Sequence, residues 1–177
     1  GKNARPLHGV EISLIKQWIK EGALDDSPAG ENNLYTMSQK PIYQKLPLIR
    51  SLAYSPNGRN LAQNGYHEVL IADTSSGKVV ARLIGLSERI ESVAFSPNGK
   101  WLAVAGGKPG KMGEIQIWDW EKEKLLLSHS VTYDTLYGVS WSPDGKFVAF
   151  GASDNAVRVI NAKSGEAVVY MAGHDDW

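Results

Sequence analysis

The chain has 177 residues, of which 42% are hydrophobic and 21% charged, a composition that is ordinary for a globular protein. Nineteen basic residues balance nineteen acidic ones, which gives no support to a nucleic-acid or anionic-membrane partner, because such binding rests on a positive field. Cysteine is absent, so disulfides, thiolate chemistry, Cys-ligated zinc and covalently attached haem are excluded within this segment.

The first part of the chain predicts one helix and then a linker. Residues 10–22 are amphipathic, with Ile12, Ile15 and Ile19 on one face, and Gly22 is a plausible stop. Residues 25–45 are polar and contain one glycine, two prolines and two asparagines, as linkers do. A single helix cannot bury its own apolar face, so we expect it to belong to an upstream domain or to pack on the later part of the chain.

A repeated turn organises the rest of the chain. Ser-Pro-Asn-Gly or Ser-Pro-Asp-Gly occurs at residues 55–58, 96–99 and 142–145, with intervals of 41 and 46 residues. Pro presets φ at the first central position, Asn or Asp bonds its own backbone, and Gly accepts positive φ. Each string is therefore predicted to be a tight hairpin between two buried strands.

Four short strands recur around each turn, which is the pattern of propeller blades. The predicted fold is all-β: three four-stranded blades of an incomplete β-propeller, preceded by one α-helix. The predicted boundaries are a helical segment at 1–26, a linker at 27–47 and blades at 48–86, 87–131 and 132–173, with a fourth blade beginning at 174–177. Three blades cannot close a ring, so we expect the other blades beyond Trp177 or from another chain.

The repeats resemble WD-repeat propellers. Ile117, Trp118 and Asp119 end a predicted third strand, as Trp-Asp does in that family, and Gly173-His174 resembles the dipeptide that opens the next repeat. The resemblance implies a protein-interaction scaffold without catalytic activity. Its structural network of His, Ser or Thr, Asp and Trp is incomplete here, because the first and third copies lack the Trp and the first two lack Gly-His.

The front segment resembles the last helix of c-type cytochrome domains that precede WD-repeat propellers in planctomycete-type bacteria, through Ile15-Lys16-Gln17-Trp18-Ile19 and Gly22-Ala23. This resemblance implies haem c in an upstream domain, a role in a larger electron-transfer assembly and a periplasmic or extracytoplasmic location. The haem-attaching motif is absent from this sequence, so no cofactor-binding or metal-binding residue is assigned.

No catalytic constellation emerges from the remaining motifs. His174-Asp175-Asp176 could ligate a metal, but a role in stabilising the repeat turn explains the histidine more simply. Residues 106–111 are glycine- and lysine-rich like a phosphate loop, yet they lack its Ser/Thr and subsequent helix and fit a hairpin loop. The sequence thus favours a binding protein over an enzyme.

A partner surface is predicted on one rim of the propeller, where an outer strand connects to the next inner strand. Aromatic and charged residues concentrate in these connections, as they do at binding sites. The candidates are Arg89, Tyr133, Asp134, Tyr137 and Trp177. Packing of the two tyrosines between blades is an equally good explanation of their positions.

An alternative of similar fold stays open: a propeller resembling TolB-like or peptidase-associated proteins, which gates or docks a partner enzyme. Residues 141–150 match the Trp-Ser-Pro-Asp-Gly-Lys pattern of those propellers. The strand ending in Trp118-Asp119 and the Ser153-Asp154 turn favour the WD-repeat interpretation.

Overall fold

A computed structural model describes residues 8–20, 35–44 and 47–173. The chain divides into two units, Gly1–Leu34 and Tyr35–Trp177. The first contains the helix α1 (Gly9–Lys20). The carboxylate of Glu11 caps its start by accepting the His8 backbone N–H at 2.7 Å, and the His8 carbonyl accepts the Ile12 N–H as the first bond of the helix. The predicted stop, Gly22, lies outside the described residues.

The three Ser-Pro-Asn/Asp-Gly strings form the same hairpin turn, as predicted. In the first, Asn57 Oδ1 accepts the Ser55 hydroxyl and the Arg59 N–H, while Ser55 Oγ accepts the Asn60 N–H at 2.9 Å. The other two turns repeat these bonds around Asn98 and Asp144. The glycine of each turn has a φ near +70°.

The described residues of the second unit form eleven antiparallel strands in two sheets, one ordered β1 to β7 and the other β8 to β11. The strands are β1 (Leu52–Tyr54), β2 (Asn60–Asn64), β3 (Tyr66–Asp73), β4 (Val79–Phe95), β5 (Trp101–Lys108), β6 (Met112–Asp119), β7 (Lys124–Thr132), β8 (Leu136–Trp141), β9 (Phe147–Ala152), β10 (Ala156–Asn161) and β11 (Ala167–Ala172).

One strand differs from the sequence prediction. β4 runs through 17 residues and contains the predicted fourth strand of the first blade, the connection at 87–89 and the first strand of the second blade. The connection is extended because Arg89 pairs with Tyr66 on one side and Gly107 on the other. The boundary predicted between residues 86 and 87 therefore lies inside a strand, and the first two blades form one seven-stranded sheet.

The three repeats stack face to face around two cores, which fits the continuous apolar runs of the later strands. Successive side chains point to opposite faces of a strand. Along β5, Leu102 and Val104 accordingly enter a core with the first repeat, while Ala103 and Ala105 enter a core with the third. The second repeat is the middle layer of the stack, as expected for neighbouring propeller blades.

Candidate functional site

An open cleft of about 510 Å³ lies beside the first repeat. Three parts of the chain form it: the turn between β2 and β3, the middle of β4, and the segment that precedes β1. Its lining combines aromatic, aliphatic and charged side chains: Tyr35, Ile42, Tyr43, Gln44, Pro47, Leu48, Arg50, Asn64, Gly65, Tyr66, Glu88, Arg89 and Ile90. We call it the Arg89 cleft.

Residues 35–44 fall within the segment predicted to be a linker, yet they are bonded to the sheet. The Tyr43 hydroxyl donates to Glu68 Oε1 at 2.5 Å and accepts the Tyr66 backbone N–H at 3.1 Å. Arg82 Nη2 donates to the Pro41 carbonyl at 2.8 Å. Burial and the bond to the Glu68 carboxylate raise the pKa of Tyr43, so its hydroxyl is a proton donor at neutral pH. These bonds fix one wall of the cleft.

Asn64 fixes the opposite wall. Its side-chain oxygen accepts the backbone N–H groups of Arg50 at 2.6 Å and Ser51 at 3.1 Å, and its amide donates to the Leu48 carbonyl at 2.9 Å. Asn64 is 3% exposed, and its three bonds, which are partly buried, hold the backbone of residues 48–51. Leu48 itself is 73% exposed and presents its side chain to the cleft.

The charges of the cleft are unequally neutralised. Arg50 forms a bidentate pair with Glu91, at 2.7 and 2.8 Å, and Glu88 lies 3.8 Å from Lys108. Arg89 is exposed, and within residues 35–44 and 47–173 no hydrogen bond or ion pair engages its guanidinium. Among the described residues that line the cleft, the charge left over is therefore positive.

His67 contacts Tyr35 and Tyr66, two aromatic residues that line the cleft. Its ring is 5.1 Å from that of Tyr35 and 4.2 Å from that of Tyr66, measured between centroids, and the residue is 4% exposed. Its backbone is left-handed, with a φ of 63°, and its Nε2 has no hydrogen-bond partner among the described residues. Burial lowers the pKa of His67, because the imidazolium would lose its hydration.

The predicted partner-surface residues that the structure describes line different clefts or none. Arg89 lines the large cleft, whereas Tyr133 and Asp134 line a smaller one of about 280 Å³ with Asp154. Tyr133 is 90% exposed, which disfavours a packing role between blades. Tyr137 lies on β8, is 45% exposed and lines neither cleft. Trp177 and His174 lie outside the described residues.

Asp134 has a structural task of its own. Its carboxylate accepts the backbone N–H groups of Thr135 at 2.7 Å and Gly110 at 3.1 Å. These bonds to the charged form lower the pKa of Asp134, so the group is an anion throughout the neutral range. It ties the β5–β6 turn at residues 109–111, the second half of the glycine-rich segment, to the start of β8.

A buried polar network runs along the second repeat. Trp118 Nε1 donates to Gln116 Oε1 at 2.8 Å, and Gln116 Nε2 donates to Glu114 Oε2 at 2.7 Å. Ser87 donates to Glu114 Oε2 at 2.6 Å, and Ser128 donates to its other oxygen. The alternation of Glu114, Gln116 and Trp118 along β6 is the signal that could have revealed it, because these positions share one face.

The described part of the chain meets neither the requirements of a metal site nor those of a membrane-spanning helix. Residues 8–20, 35–44 and 47–173 contain no group of three or more His, Asp or Glu side chains arranged to hold a metal ion. Within the same residues, α1 has 12 residues and falls short of the length that a membrane-spanning helix requires.

The stacked sheets, the recurrent turns and the open cleft define a β-propeller protein of the WD-repeat-like class. The chain belongs to the family described as "Eukaryotic translation initiation factor eIF2A", whose family model matches residues 14–164. Periodic tryptophan protein 2 of Arabidopsis thaliana is 30% identical over a region covering 94% of this chain and 19% of that protein. Its Mus musculus homolog is 28% identical, over 65% of this chain and 14% of that protein.

The chain thus spans less than a fifth of the length of these relatives. Among solved structures, a chain of the hydrazine synthase of Kuenenia stuttgartiensis superimposes with a TM-score of 0.65 and 23% identity, over 80% of this chain and 40% of that one. This likeness concerns the fold. The two periodic tryptophan proteins are eukaryotic, and the bacterial origin expected from the front segment is not shown by them.

Proposed function

We propose that this chain is part of a protein-interaction scaffold that holds a partner in the Arg89 cleft. WD-repeat-like homology supports a scaffold. The observation that carries the choice of site is the cleft itself: its walls are fixed by partly buried hydrogen bonds, it is open to solvent, and Arg89 has no partner among the described residues. A rigid apolar surface with one unsatisfied cation is a typical anchor for a protein partner.

Affinity capture with matched variants tests this proposal. Leu48→Asp and Arg89→Glu change the cleft, while Arg59→Glu makes the same charge reversal at the exposed β1–β2 turn. We expect at least one protein captured by the wild-type chain to be lost with both cleft variants and retained with Arg59→Glu. Equal capture by all four chains, or loss only with Tyr133→Ala, would contradict the use of this cleft.

The proposed scaffold includes further blades beyond the three described. β1 exposes Leu52 and Tyr54 by 57% and 66%, and β11 exposes Tyr170 and Met171 by 62% and 53%. Apolar side chains at both ends of the stack favour packing against additional sheets. Hydrogen exchange tests this: amides of β1 and β11 should exchange more slowly in the protein purified from its source than in this 177-residue chain, and equal rates would contradict it.

We further propose, from the resemblance of the front segment alone, that a haem c domain precedes the propeller and that the protein works in an extracytoplasmic electron-transfer assembly. A pyridine haemochrome spectrum of the native full-length protein tests the cofactor, and cell fractionation tests the location. A full-length protein without covalent haem would remove this part of the proposal and leave the scaffold unaffected.

A further inference from the structure

The proposed function does not specify which chemical groups of a partner the cleft binds. The charges around Arg89 indicate that one of these groups is an anion. Two cations and one anion occur in the described lining: Arg50, Arg89 and Glu88. The Arg50 charge is neutralised by the bidentate Glu91, and the Glu88 charge by Lys108. Arg89 alone is left to be neutralised, so an incoming anion gains an ion pair without displacing an existing partner.

The surroundings of Arg89 are apolar on one side. Tyr35, Ile42 and Leu48 line the same cleft, and Ile42 and Leu48 are 91% and 73% exposed. Such large apolar side chains, held at a rim by a fixed backbone, offer contact area to a partner's aliphatic or aromatic group. The occupant that satisfies both features carries a negative charge and an apolar group a short distance apart.

The Arg50–Glu91 pair explains why Arg89 is the available cation. Arg50 Nη1 already donates to both carboxylate oxygens of Glu91, whose side chain is 12% exposed, so a ligand would have to compete with Glu91 for this guanidinium. Arg89 is held differently: its backbone pairs with Tyr66 and Gly107, while its side chain extends from the strand without a partner among the described residues. The strand thus fixes the Arg89 backbone, and a bound ligand would fix the position of its guanidinium.

We propose that the Arg89 cleft binds an acidic peptide segment of a partner protein, with a carboxylate on the Arg89 guanidinium and a neighbouring apolar side chain against Tyr35, Ile42 and Leu48. A guanidinium holds a carboxylate through two parallel hydrogen bonds, which a lysine could not reproduce. The volume of about 510 Å³ accommodates one large side chain and its neighbours. This inference rests on the proposed function, because it names the partner chemistry of the same cleft.

Fluorescence anisotropy with three labelled peptides tests the inference on the full chain. One peptide alternates Glu and Leu, a second Lys and Leu, and a third Glu and Ser. We expect the Glu-Leu peptide to bind at least about tenfold more tightly than either of the others, since a tenfold ratio corresponds to the loss of one modest interaction. Equal binding of the Lys-Leu or Glu-Ser peptide, or no binding of any peptide, would overturn the inference.

Variants then locate the binding. Arg89→Ala should weaken binding of the Glu-Leu peptide by about tenfold, and Arg89→Lys should restore only part of it, because an ammonium group lacks the bidentate geometry. Arg59→Ala, which removes an exposed arginine at the β1–β2 turn, should leave binding unchanged. Unfolding by urea, measured on each variant, shows whether the fold persists. Full recovery with Arg89→Lys, or equal loss with Arg59→Ala, would contradict bidentate recognition by Arg89.

The peptide result and the capture result fail separately. If no acidic peptide binds but proteins captured by the wild-type chain are lost with Leu48→Asp, the scaffold function stands and the inferred chemistry is wrong. If the Glu-Leu peptide binds in an Arg89-dependent way while no cellular protein depends on the cleft, the peptide chemistry stands and the proposed function is wrong.

Discussion

Two buried glutamates occupy the same position in neighbouring repeats and are neutralised in different ways. Glu68 on β3 and Glu114 on β6 each precede a strand-ending aspartate by five residues, and both are fully buried. Glu68 receives two bonds from the Arg82 guanidinium and one from the Tyr43 hydroxyl. Glu114 receives its bonds from uncharged groups of the second repeat.

The register shows that this is a true correspondence of positions. Arg82 faces Leu70 across β3 and β4, and Ser128 faces Gln116 across β6 and β7. A cation in one repeat is therefore replaced by a hydroxyl in the next. The difference teaches that a repeat can conserve a buried carboxylate position while its compensation comes from other elements: an ion pair that also holds residues 41 and 43 in the first repeat, and a chain of neutral donors in the second.

The largest expected effect comes from breaking the ion pair. Arg82→Ala leaves Glu68 without its cation and removes the bond to Pro41, so we expect a loss of about 3 kcal/mol in the free energy of unfolding. This is the low end for buried pairs, because the Arg82 side chain is 28% exposed. Urea denaturation followed by tryptophan fluorescence measures it. Arg158→Ala, which breaks a pair with the more exposed Asp154, should cost less than about 1 kcal/mol; equal losses would refute the distinction.

A matched pair of substitutions sharpens the comparison. Glu68→Gln places an amide NH₂ group opposite the Arg82 guanidinium. Because a guanidinium can donate hydrogen bonds but cannot accept them, we expect a loss of about 2 kcal/mol in the free energy of unfolding. Glu114→Gln should change stability by less than about 1 kcal/mol, because the hydroxyls of Ser87 and Ser128 can rotate to accept from the new amide. Thermal unfolding of both variants should give the larger loss for Glu68→Gln, and the opposite order would show that the neutral donors tolerate loss of charge less well than the cation.

Removing one neutral donor should have a smaller effect. Ser128→Ala deletes one bond to Glu114 but leaves those from Ser87 and Gln116, so we expect a loss of about 1 kcal/mol, the usual net value of a hydrogen bond. Chemical denaturation measures it, with Ser130→Ala on the same strand as the control. A loss as large as that of Arg82→Ala would mean that Glu114 depends on Ser128 alone.

The smallest expected effect concerns the residues that precede the two glutamates. His67 and Gly113 occupy equivalent positions, but a Cβ at Gly113 would lie 2.1 Å from the Asp134 carbonyl oxygen, whereas position 67 accommodates a side chain despite its positive φ.

Since the pKa of His67 is lowered in the folded state, the unfolded state takes up the proton first as pH falls below about 6.5. Stability should therefore decrease with acidification, by at most about 0.7 kcal/mol from pH 7 to pH 6.

Urea unfolding at the two pH values measures this contribution. His67→Asn should reduce the pH dependence, because asparagine accepts a positive φ and does not titrate in this range. His129→Gln, on the exposed face of β7, should retain it. If His67→Asn kept the full dependence, other groups would account for it.

The sequence predicted what local chemistry determines. The three hairpins result from Pro, Asn or Asp, and Gly at fixed offsets, and the layered stacking results from alternation along strands such as β5. The Arg89 cleft was not predicted, because it depends on bonds between Tyr43 and Glu68 and between Asn64 and Leu48, which are distant in sequence. Continuity of β4 also depends on pairing between residues distant in sequence, since the backbone of Arg89 pairs with Tyr66 on one side and Gly107 on the other.

Among the predicted site residues, the structure adds which charges are already paired and which side chains are exposed. Arg89 was recognised as a candidate from its connection, but its neighbours were not, because residues 35–44 have the composition of a linker. The acidic and aromatic content of residues 133–134 could not reveal that Asp134 is occupied by backbone donors.

The uninterrupted β4 strand has a consequence for how this molecule can be divided. A cut between residues 86 and 87, where the sequence repeat would place it, severs a strand bonded to β3 on one side and β5 on the other. A break at the β7–β8 junction instead falls between the two hydrogen-bonded sheets. Across the first cut only the Tyr66–Arg89 pair joins the two repeats, and across the second no strand pair does, so fragments divided at either place should keep nearly all of their strand pairings.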